Sequence, residues 1–431
     1  NTVPQRGLDG AVLPWIRGKV LGGSSGINGM MFIRGDRTAY DAWAAAGAAG
    51  WDYEGLLSYL KRSETAAGDP AYRGKQGPMH VGPAPTTDPL WEAAFAAAAE
   101  VGHEPNQDAN GATAVGVAWN DMTVVDGNRQ SVADAYLVPV LDRPNLTVVA
   151  DARAHRLVLD GDVCRGVEYV VDGRPTVATA DREVVLSAGA IGSPQLLLLS
   201  GIGPADQLRE LGIEVVADLP GVGANFQDHP KSQVAYTTTT AVASGMYARK
   251  PHVLLRSTPS AAPDLQIIFL EAPVHPRWVP GREDGYSVIF SLMAPASRGS
   301  VRLASADPEA APLIDPGFLT ERSDVDRMIT GLNAAREIGS ANAFAGVRDK
   351  ELFPGGADGD SHAYLRSTVT SYFHPAGTCA IGAVVDADLR VHGVERLRVV
   401  DASIMPSLVS GNTNAAVLGI AERAAALIIG E

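Results

Sequence analysis

The sequence predicts an α/β fold made of two interleaved parts, and three observations support this prediction. The chain has 431 residues, which is too many for one ordinary hydrophobic core. Residues 183–204 read as a short apolar strand, a turn of small residues and an apolar helix, an order that α/β folds use to carry ligands. Three later apolar segments separated by turns predict an additional sheet: Asp264–Phe269, Ser287–Met293 and Gly299–Leu303.

The other elements follow from hydrophobic spacing and turn residues. Apolar residues at helical spacing predict three helical segments: Asp41–Glu64 with a loop at Gly47–Gly50, Leu90–Val101, and Ser323–Ile338. Short runs rich in valine and leucine predict two strands, Asn145–Val149 and Val163–Val171. Residues 415–426 form an apolar run typical of a helix near the end of the chain.

The composition excludes several classes of partner. With a net charge of −14, the chain is poorly suited to bind nucleic acid or an anionic membrane surface. No apolar run is long enough to span a bilayer. The two cysteines, Cys164 and Cys379, indicate neither a disulfide framework nor a metal site. Together with an opening that lacks the features of a signal peptide, this predicts a cytoplasmic protein without a metal, compatible with a homo-oligomer.

Two polar segments near the end of the chain carry the strongest chemical signal. His374 lies in SYFHPAGTCAIG, residues 371–382, and Asn412 lies in the turn-forming run SGNTN, residues 410–414. Imidazole titrates near neutral pH and is therefore the usual general base. An asparagine amide can hold an alcohol oxygen without competing for its proton. A structural histidine and a helix N-cap asparagine are the alternative interpretations.

A glycine-rich segment lies near the start of the chain. Residues 17–35, RGKVLGGSSGINGMMFIRG, contain six glycines among small and apolar residues. Glycine lets the backbone approach a flat or phosphorylated ligand closely, and the amide of Asn28 can bond the edge of a heterocycle. A glycine-rich turn that leads into a helix is the alternative interpretation.

Seven segments, in order along the chain, resemble motifs of the glucose–methanol–choline (GMC) oxidoreductases, in particular the choline-dehydrogenase-like branch. They are the glycine-rich segment 17–35, GAIGSPQLLLLSGIG at 189–203, LPGVGANFQDHP at 219–230, the segments around Arg298 and Asp315, and the two segments 373–382 and 398–415. The resemblance covers nearly the whole chain. It implies a Rossmann-like FAD-binding domain with a parallel sheet, interleaved with a substrate domain of antiparallel sheet and helices.

The resemblance also implies an activity, the FAD-dependent oxidation of an alcohol to an aldehyde or ketone. His374 matches the family's catalytic base, which would take the hydroxyl proton as hydride leaves for the flavin. Asn412 matches the second active-site position and would hydrogen-bond the substrate oxygen. Phe373 would form a wall of the substrate cavity. The partners implied are a small-molecule alcohol and either oxygen or another electron acceptor.

The resemblance assigns cofactor-binding roles to three groups of residues. The segment along the flavin ring corresponds to Gly22, Gly23, Asn28, Gly29, Met30 and Met31. Residues near the rest of the cofactor correspond to Asp401, Ala402 and Thr413, with Ala154 beside the adenine. Ile27 stands where some choline-oxidising relatives carry a histidine bonded to the flavin, and isoleucine has no nucleophilic atom. We therefore expect the FAD to be non-covalent.

Comparison with the family predicts the domain boundaries and one departure. We expect the FAD-binding domain to comprise residues 1–87, 128–235 and 370–431, and the substrate domain residues 88–127 and 236–369. Family members begin with a βαβ unit that carries GxGxxG and holds the cofactor pyrophosphate, and this sequence contains no such unit. Two alternatives to alcohol oxidation remain. One is a hydroxynitrile-lyase-like enzyme on the same fold, and the other, because the βαβ unit is missing, is a flavin-free, non-catalytic fragment.

Overall fold

The structure is a computed structural model that describes residues 1–84, 86–242, 245, 248–281, 283–355 and 359–430. Its α-helices in these ranges are α1 Arg37–Ala45, α2 Tyr53–Ser63, α3 Pro89–Glu100, α4 Gly189–Leu199, α5 Ala205–Glu210, α6 Arg322–Ser340, α7 Ser361–Thr368 and α8 Thr413–Ile429. No helix in the described ranges has the length and apolar character needed to cross a bilayer.

A seven-stranded antiparallel sheet is the largest sheet of the described structure. Its strands are β1 Gly116–Trp119, β2 Pro230–Thr238, β3 Pro251–Leu255, β4 Leu265–Leu270, β5 Gly285–Leu292, β6 Arg348–Phe353 and β7 Thr370–Ser371. The order across the sheet is β6–β2–β5–β4–β3–β1, and β7 pairs with the start of β2. The sheet therefore collects strands from positions far apart in the sequence.

The two faces of this sheet have different partners, because side chains alternate along a strand. One face is apolar and packs against α3 and α6, with Val234, Phe290 and Ile267 in the same hydrophobic cluster as Trp91 and Leu332. The opposite face carries many polar residues and faces the segments that hold His374 and Asn412. This polar face is the roof of the candidate site.

A second core joins parallel strands to helices. Val184–Leu186 pairs in parallel with Leu397–Val399, and Ile202–Gly203 pairs in parallel with Ala217–Asp218. These strands pack with α2, α4 and α8 in one large hydrophobic cluster. Parallel pairing with covering helices is the arrangement of α/β folds. The predicted α/β class, with one parallel and one antiparallel region, is therefore confirmed.

The remaining strands form small sheets around these two cores. They are a four-stranded sheet of Met31–Phe32, Asp121–Met122, Met79–Pro83 and Glu64–Ala66, a three-stranded sheet of Arg153–Asp160, Val163–Val171 and Arg174–Thr179, and three pairs, Val124–Val125 with Asn128–Arg129, Val274–His275 with Val279–Pro280, and Ser300–Arg302 with Leu313–Asp315.

One segment connects the two regions beside His374. Residues 227–231 run antiparallel to residues 370–376, with Gln227 opposite Ala376 and Pro230 opposite Ser371. Since Pro230 is also the first residue of β2, the chain passes from this segment directly into the antiparallel sheet. The expected domain boundary between residues 235 and 236 falls inside β2, which is continuous from 230 to 238.

The strand predicted at residues 145–149 is wrong. These residues form no strand in the structure, and Val148 and Val149 are 40% and 51% exposed. A strand needs a partner backbone, which the local valine-rich pattern cannot supply. The predicted strands at 163–171 and 264–269 and the helix at 323–338 are confirmed to within a few residues.

Candidate active site

His374 lies on a tight turn that buried polar groups hold in place. Phe373 has a left-handed backbone with φ of 64°, a conformation that costs energy for a residue with a side chain. Its carbonyl accepts hydrogen bonds from the Arg17 guanidinium at 3.1 and 3.2 Å. The carboxylate of Asp228 accepts from the His374 backbone N–H at 2.7 Å and from the Ser371 hydroxyl. These contacts hold the backbone from which the His374 side chain extends.

The imidazole of His374 and the amide of Asn412 meet on one side of this turn. The Nδ2 atom of Asn412 lies 3.4 Å from Nε2 of His374. An amide nitrogen is a donor, so the imidazole nitrogen that faces it must be an acceptor without a proton. A bare imidazole lone pair beside an amide N–H is the complement of an alcohol group, which both donates and accepts.

A chain of hydrogen bonds from the antiparallel sheet orients Asn412. Gln266, on β4, donates from Nε2 to Oδ1 of Asn412 at 3.5 Å. The hydroxyl of Tyr372 donates to Oε1 of Gln266 at 2.9 Å. Because Oδ1 of Asn412 is engaged in this way, its Nδ2 group is the one that faces His374. The roof of the site therefore determines which end of the amide is presented.

His229 occupies the other side of the His374 ring. Its Nδ1 atom lies 2.9 Å from Nδ1 of His374, so one of these two nitrogens carries a proton. Since Nε2 of neutral His374 is unprotonated, the proton is on its Nδ1, which donates to His229. Nε2 of His229 has no hydrogen-bond partner among the described residues, although the carbonyls of Val409 and Met293 favour its charged form.

The surroundings keep both imidazoles neutral. Burial lowers the pKa of His374 well below its usual value, and His229, Arg17 and Lys231 lower it further. Burial lowers the pKa of His229 to about 3. Part of the surface of His374 nevertheless remains exposed to solvent, while protein surrounds the rest of the residue. At neutral pH Nε2 of His374 is therefore unprotonated.

Close backbone contact anchors the segment that carries Asn412. A methyl group on Gly411 would lie 2.6 Å from the Gly35 nitrogen and 2.6 Å from the Ile33 carbonyl oxygen, so only glycine fits. The Ser410 hydroxyl accepts from the backbone of Asp36 at 2.8 Å. Asn412 stands at the N-cap position of α8, but its side chain makes no capping hydrogen bond. The amide therefore serves the site instead of the helix.

The glycine-rich segment lies beside the turn that carries His374, and the hydrogen bonds of Arg17 connect the two. Gly22 and Gly23 have left-handed backbones, with φ of 83° and 55°, and a methyl group on Gly23 or Gly29 would meet nothing within 4 Å. This open space above bare backbone suits a flat ring system. Oδ1 of Asn28 accepts from Met30 N–H at 3.0 Å, which leaves the Asn28 N–H group for a ligand. These residues fit the flavin that the sequence predicts.

The two methionines of this segment point to different places. Met31 is partly buried and packs against a cluster of Ile268, Ile289 and Tyr372, so it lies between the glycine-rich segment and the roof. Met30 has φ of 62°, is fully buried and packs against Met122 and Ala84. Its backbone, but not its side chain, is therefore available to a cofactor.

The other predicted cofactor residues are spread over two places. The Asp401 carboxylate accepts hydrogen bonds from Gly189 N–H at 2.9 Å and the Ser193 hydroxyl at 2.5 Å, which ties the start of α4 to residues 401–404. Ala402, which follows Asp401 in the sequence, and Thr413 are both partly exposed. Ala154 is exposed on the three-stranded antiparallel sheet, opposite Tyr169.

The structure adds residues that the sequence analysis did not assign to the site. They are Asp228, His229, Gln266 and Tyr372. Asp228 and His229 lie in the sequence QDHP, residues 227–230, whose proline is the first residue of β2. The antiparallel pairing of that segment with residues 370–376 is the reason that it belongs to the site.

Comparison with known proteins agrees with this geometry. Residues 6–231 and 295–421 match two sequence models described as GMC oxidoreductase. Fold, site and matches define a flavin-dependent alcohol oxidoreductase. The chain belongs to the GMC oxidoreductase family.

The relatives include choline dehydrogenases. The mitochondrial choline dehydrogenase of Mus musculus is 42% identical over 468 residues, with 100% of this chain and 78% of the relative covered. The oxygen-dependent choline dehydrogenase of Sinorhizobium medicae is 37% identical, with 99% and 84% covered. The crystal structure of pyridoxine 4-oxidase from Mesorbium loti superposes with a TM-score of 0.95 at 34% identity, with 100% of this chain and 88% of that chain covered.

Proposed function

We propose that the protein oxidises an alcohol to an aldehyde or ketone, with His374 as the general base and non-covalent FAD as the hydride acceptor. The observation that carries this proposal is the pairing of an unprotonated His374 nitrogen with the Asn412 N–H group at 3.4 Å. A substrate hydroxyl can donate to the first and accept from the second at normal hydrogen-bond distances. This arrangement selects an alcohol over a carbonyl, which has no proton to donate.

The proton moves in one defined direction. The substrate hydroxyl gives its proton to Nε2 of His374, and Nδ1 of His374 keeps its hydrogen bond to His229. Asn412 donates to the oxygen as negative charge develops there, a contact that becomes stronger towards the transition state. Hydride leaves the alcohol carbon more easily once the oxygen on that carbon has lost its proton. The imidazolium then stands in a buried site where its charge is costly, so it returns the proton readily.

FAD fits the segment beside this pair. The backbones of Gly22, Gly23 and Gly29, with Asn28 and Met31, would hold the ring system, and Asp401, Ala402 and Thr413 would lie along the remainder. When bound, FAD supplies a two-electron acceptor for the hydride that leaves the alcohol carbon. Ile27 offers no atom for a covalent bond to it. Phe373, partly buried on the catalytic turn, would form part of the substrate wall.

Anaerobic mixing of the purified protein with an alcohol tests this function. We expect the visible absorbance of bound flavin to bleach as the alcohol is oxidised. A lyase would cleave a cyanohydrin without bleaching, and a flavin-free protein would have no visible absorbance from the start. Either result would overturn the proposal.

Three other features stay predictions. One is the division of the chain into residues 1–87, 128–235 and 370–431 for FAD and 88–127 and 236–369 for substrate. The reoxidising acceptor is oxygen or another compound, and one relative carries the words oxygen-dependent in its name. A cytoplasmic location is expected from the sequence, although the mouse relative is designated mitochondrial.

A further inference from the structure

A buried lysine stands on the roof of the candidate site. Lys231 is the second residue of β2 and is 3% exposed. Ser291 lies opposite Lys231 on one side and opposite Gln266 on the other, so the three side chains share one face of the sheet. Gln266 is the residue that orients Asn412. Lys231 is therefore placed over the site and not towards the apolar helices.

The lysine lies against the aromatic rings that border His374. Its Nζ atom is 5.2 Å from the centre of the Tyr372 ring and 5.4 Å from the centre of the Phe373 ring. Proteins bind quaternary ammonium groups on such aromatic faces. Here those faces already hold a cation that belongs to the protein, so a cationic substrate would meet repulsion in place of an aromatic cage.

Two other side chains on the same face carry buried polar atoms that lack hydrogen-bond partners among the described residues. Gln233, two residues along β2 from Lys231, is fully buried, and neither atom of its amide group has a hydrogen-bond partner among the described residues. His252 lies on the same row of cross-strand pairs, and both of its ring nitrogens are likewise unpartnered within the described chain. Buried polar atoms without partners are costly unless a ligand satisfies them.

We propose that the substrate is an alcohol whose far end is an anion or a strong hydrogen-bond acceptor, such as a carboxylate or phenolate, held by Lys231 and Gln233, and that the site rejects quaternary ammonium alcohols such as choline. This inference rests on the proposed alcohol oxidation and names the substrate class for it. It separates the protein in specificity from the choline dehydrogenases that it resembles.

The charge of Lys231 changes within an accessible pH range. Burial lowers its pKa to about 7, and the attraction of Asp228 opposes the shift. Asp228 and His374 interact with it electrostatically, Arg17 acts on both of these groups, His229 acts on His374, and the ring of Tyr372 lies against it. Below that pKa Lys231 is a cation, and above it the charge is lost. Discrimination against a cationic alcohol should therefore be larger at about pH 6 than at about pH 8.5.

A matched set of alcohols tests the inference on the flavin-loaded enzyme. Choline and 3,3-dimethylbutan-1-ol have the same shape, and only choline is charged. We expect kcat/KM at about pH 6 to favour the uncharged isostere by about 10- to 100-fold, as expected for two cations roughly 5 Å apart in a partly buried site. Equal or better use of choline would overturn the inference without touching the alcohol oxidation.

Substitution of the lysine identifies the cause of this preference. Lys231→Met should reduce the ratio of isostere to choline by about tenfold or more, and Lys231→Glu should reverse it. Lys350→Met removes an exposed lysine from β6 of the same sheet and should leave the ratio unchanged. A ratio that does not respond to Lys231→Met would overturn the assignment.

Binding of non-reactive ions gives a measurement that does not need catalysis. Calorimetry on the wild-type holoenzyme should show that butanoate binds at least about tenfold more tightly than tetramethylammonium, and the difference in affinity should be smaller at about pH 8.5. Tighter binding of tetramethylammonium would contradict the inference. Absence of all alcohol oxidation, with the preference for butanoate intact, would instead contradict the proposed function alone.

Discussion

His229→Leu should slow flavin reduction by removing the partner that sets the protonation of His374. In the structure the two Nδ1 atoms are 2.9 Å apart, and the His374 proton on that side points at His229. Leucine fills the volume but accepts no hydrogen bond. The variant therefore leaves a buried N–H donor of His374 without a partner.

The size of the effect follows from that donor. An unsatisfied buried donor costs about 1–3 kcal/mol, and the ring escapes this cost by moving its proton from Nδ1 to Nε2. A proton on Nε2 removes the lone pair that would receive the substrate proton. We therefore expect the limiting rate of reduction to fall by about 5- to 150-fold, since about 1.4 kcal/mol corresponds to a tenfold change.

Single-turnover reduction under anaerobic conditions measures this rate directly, because it separates chemistry from reoxidation. His229→Gln keeps an acceptor and should recover much of the rate, while the exposed His392→Leu should change nothing. Substrate affinity and unfolding midpoint should stay close to wild type. Wild-type rates in His229→Leu, or a His229→Gln variant equally slow, would refute the tautomer argument.

Three further outcomes are expected. Gly411→Ala should lower the free energy of unfolding by about 1–3 kcal/mol and slow flavin reduction, because there is no room for the added methyl group. Gly346 faces open space, so Gly346→Ala should do neither. Identical unfolding curves for Gly411→Ala and wild type would contradict the close packing at Gly411. Glu64→Gln removes a buried carboxylate that two buried arginines contact at 2.8 Å. Denaturant unfolding should show that the free energy of unfolding falls by about 3–5 kcal/mol, and a fall of less than about 1 kcal/mol would contradict this expectation. Acid precipitation of the protein should release all flavin into the supernatant, since Ile27 cannot form a covalent bond to the flavin. A yellow protein pellet would contradict non-covalent binding.

His374 and Asn412 could be singled out from the sequence as a candidate pair because their motifs are local. His374 and Asn412 lie in short segments with recognisable neighbours, and the structure brings their side chains to 3.4 Å. The strand at 163–171 and the helix α6 could also be predicted from their local apolar patterns, and α4 from the run of leucines that follows a turn of small residues.

The surroundings of the pair could not be predicted because they depend on register. Gln266 and Lys231 reach the site only because both lie opposite Ser291, and a shift of one residue would turn either to the apolar face. His229 contributes through the pairing of residues 227–231 with 370–376. The strand predicted at residues 145–149 is wrong for the same reason, since a local pattern does not supply a pairing partner.

The central claim is that His374 takes the substrate proton, and reduction of bound flavin in His374→Ala tests it most directly. General bases contribute about 10²- to 10⁴-fold, so we expect the single-turnover rate to fall by that factor. Flavin content and absorbance should stay unchanged, and His392→Ala should behave as wild type. Flavin reduction by the alcohol at a near wild-type rate in His374→Ala would contradict the claim.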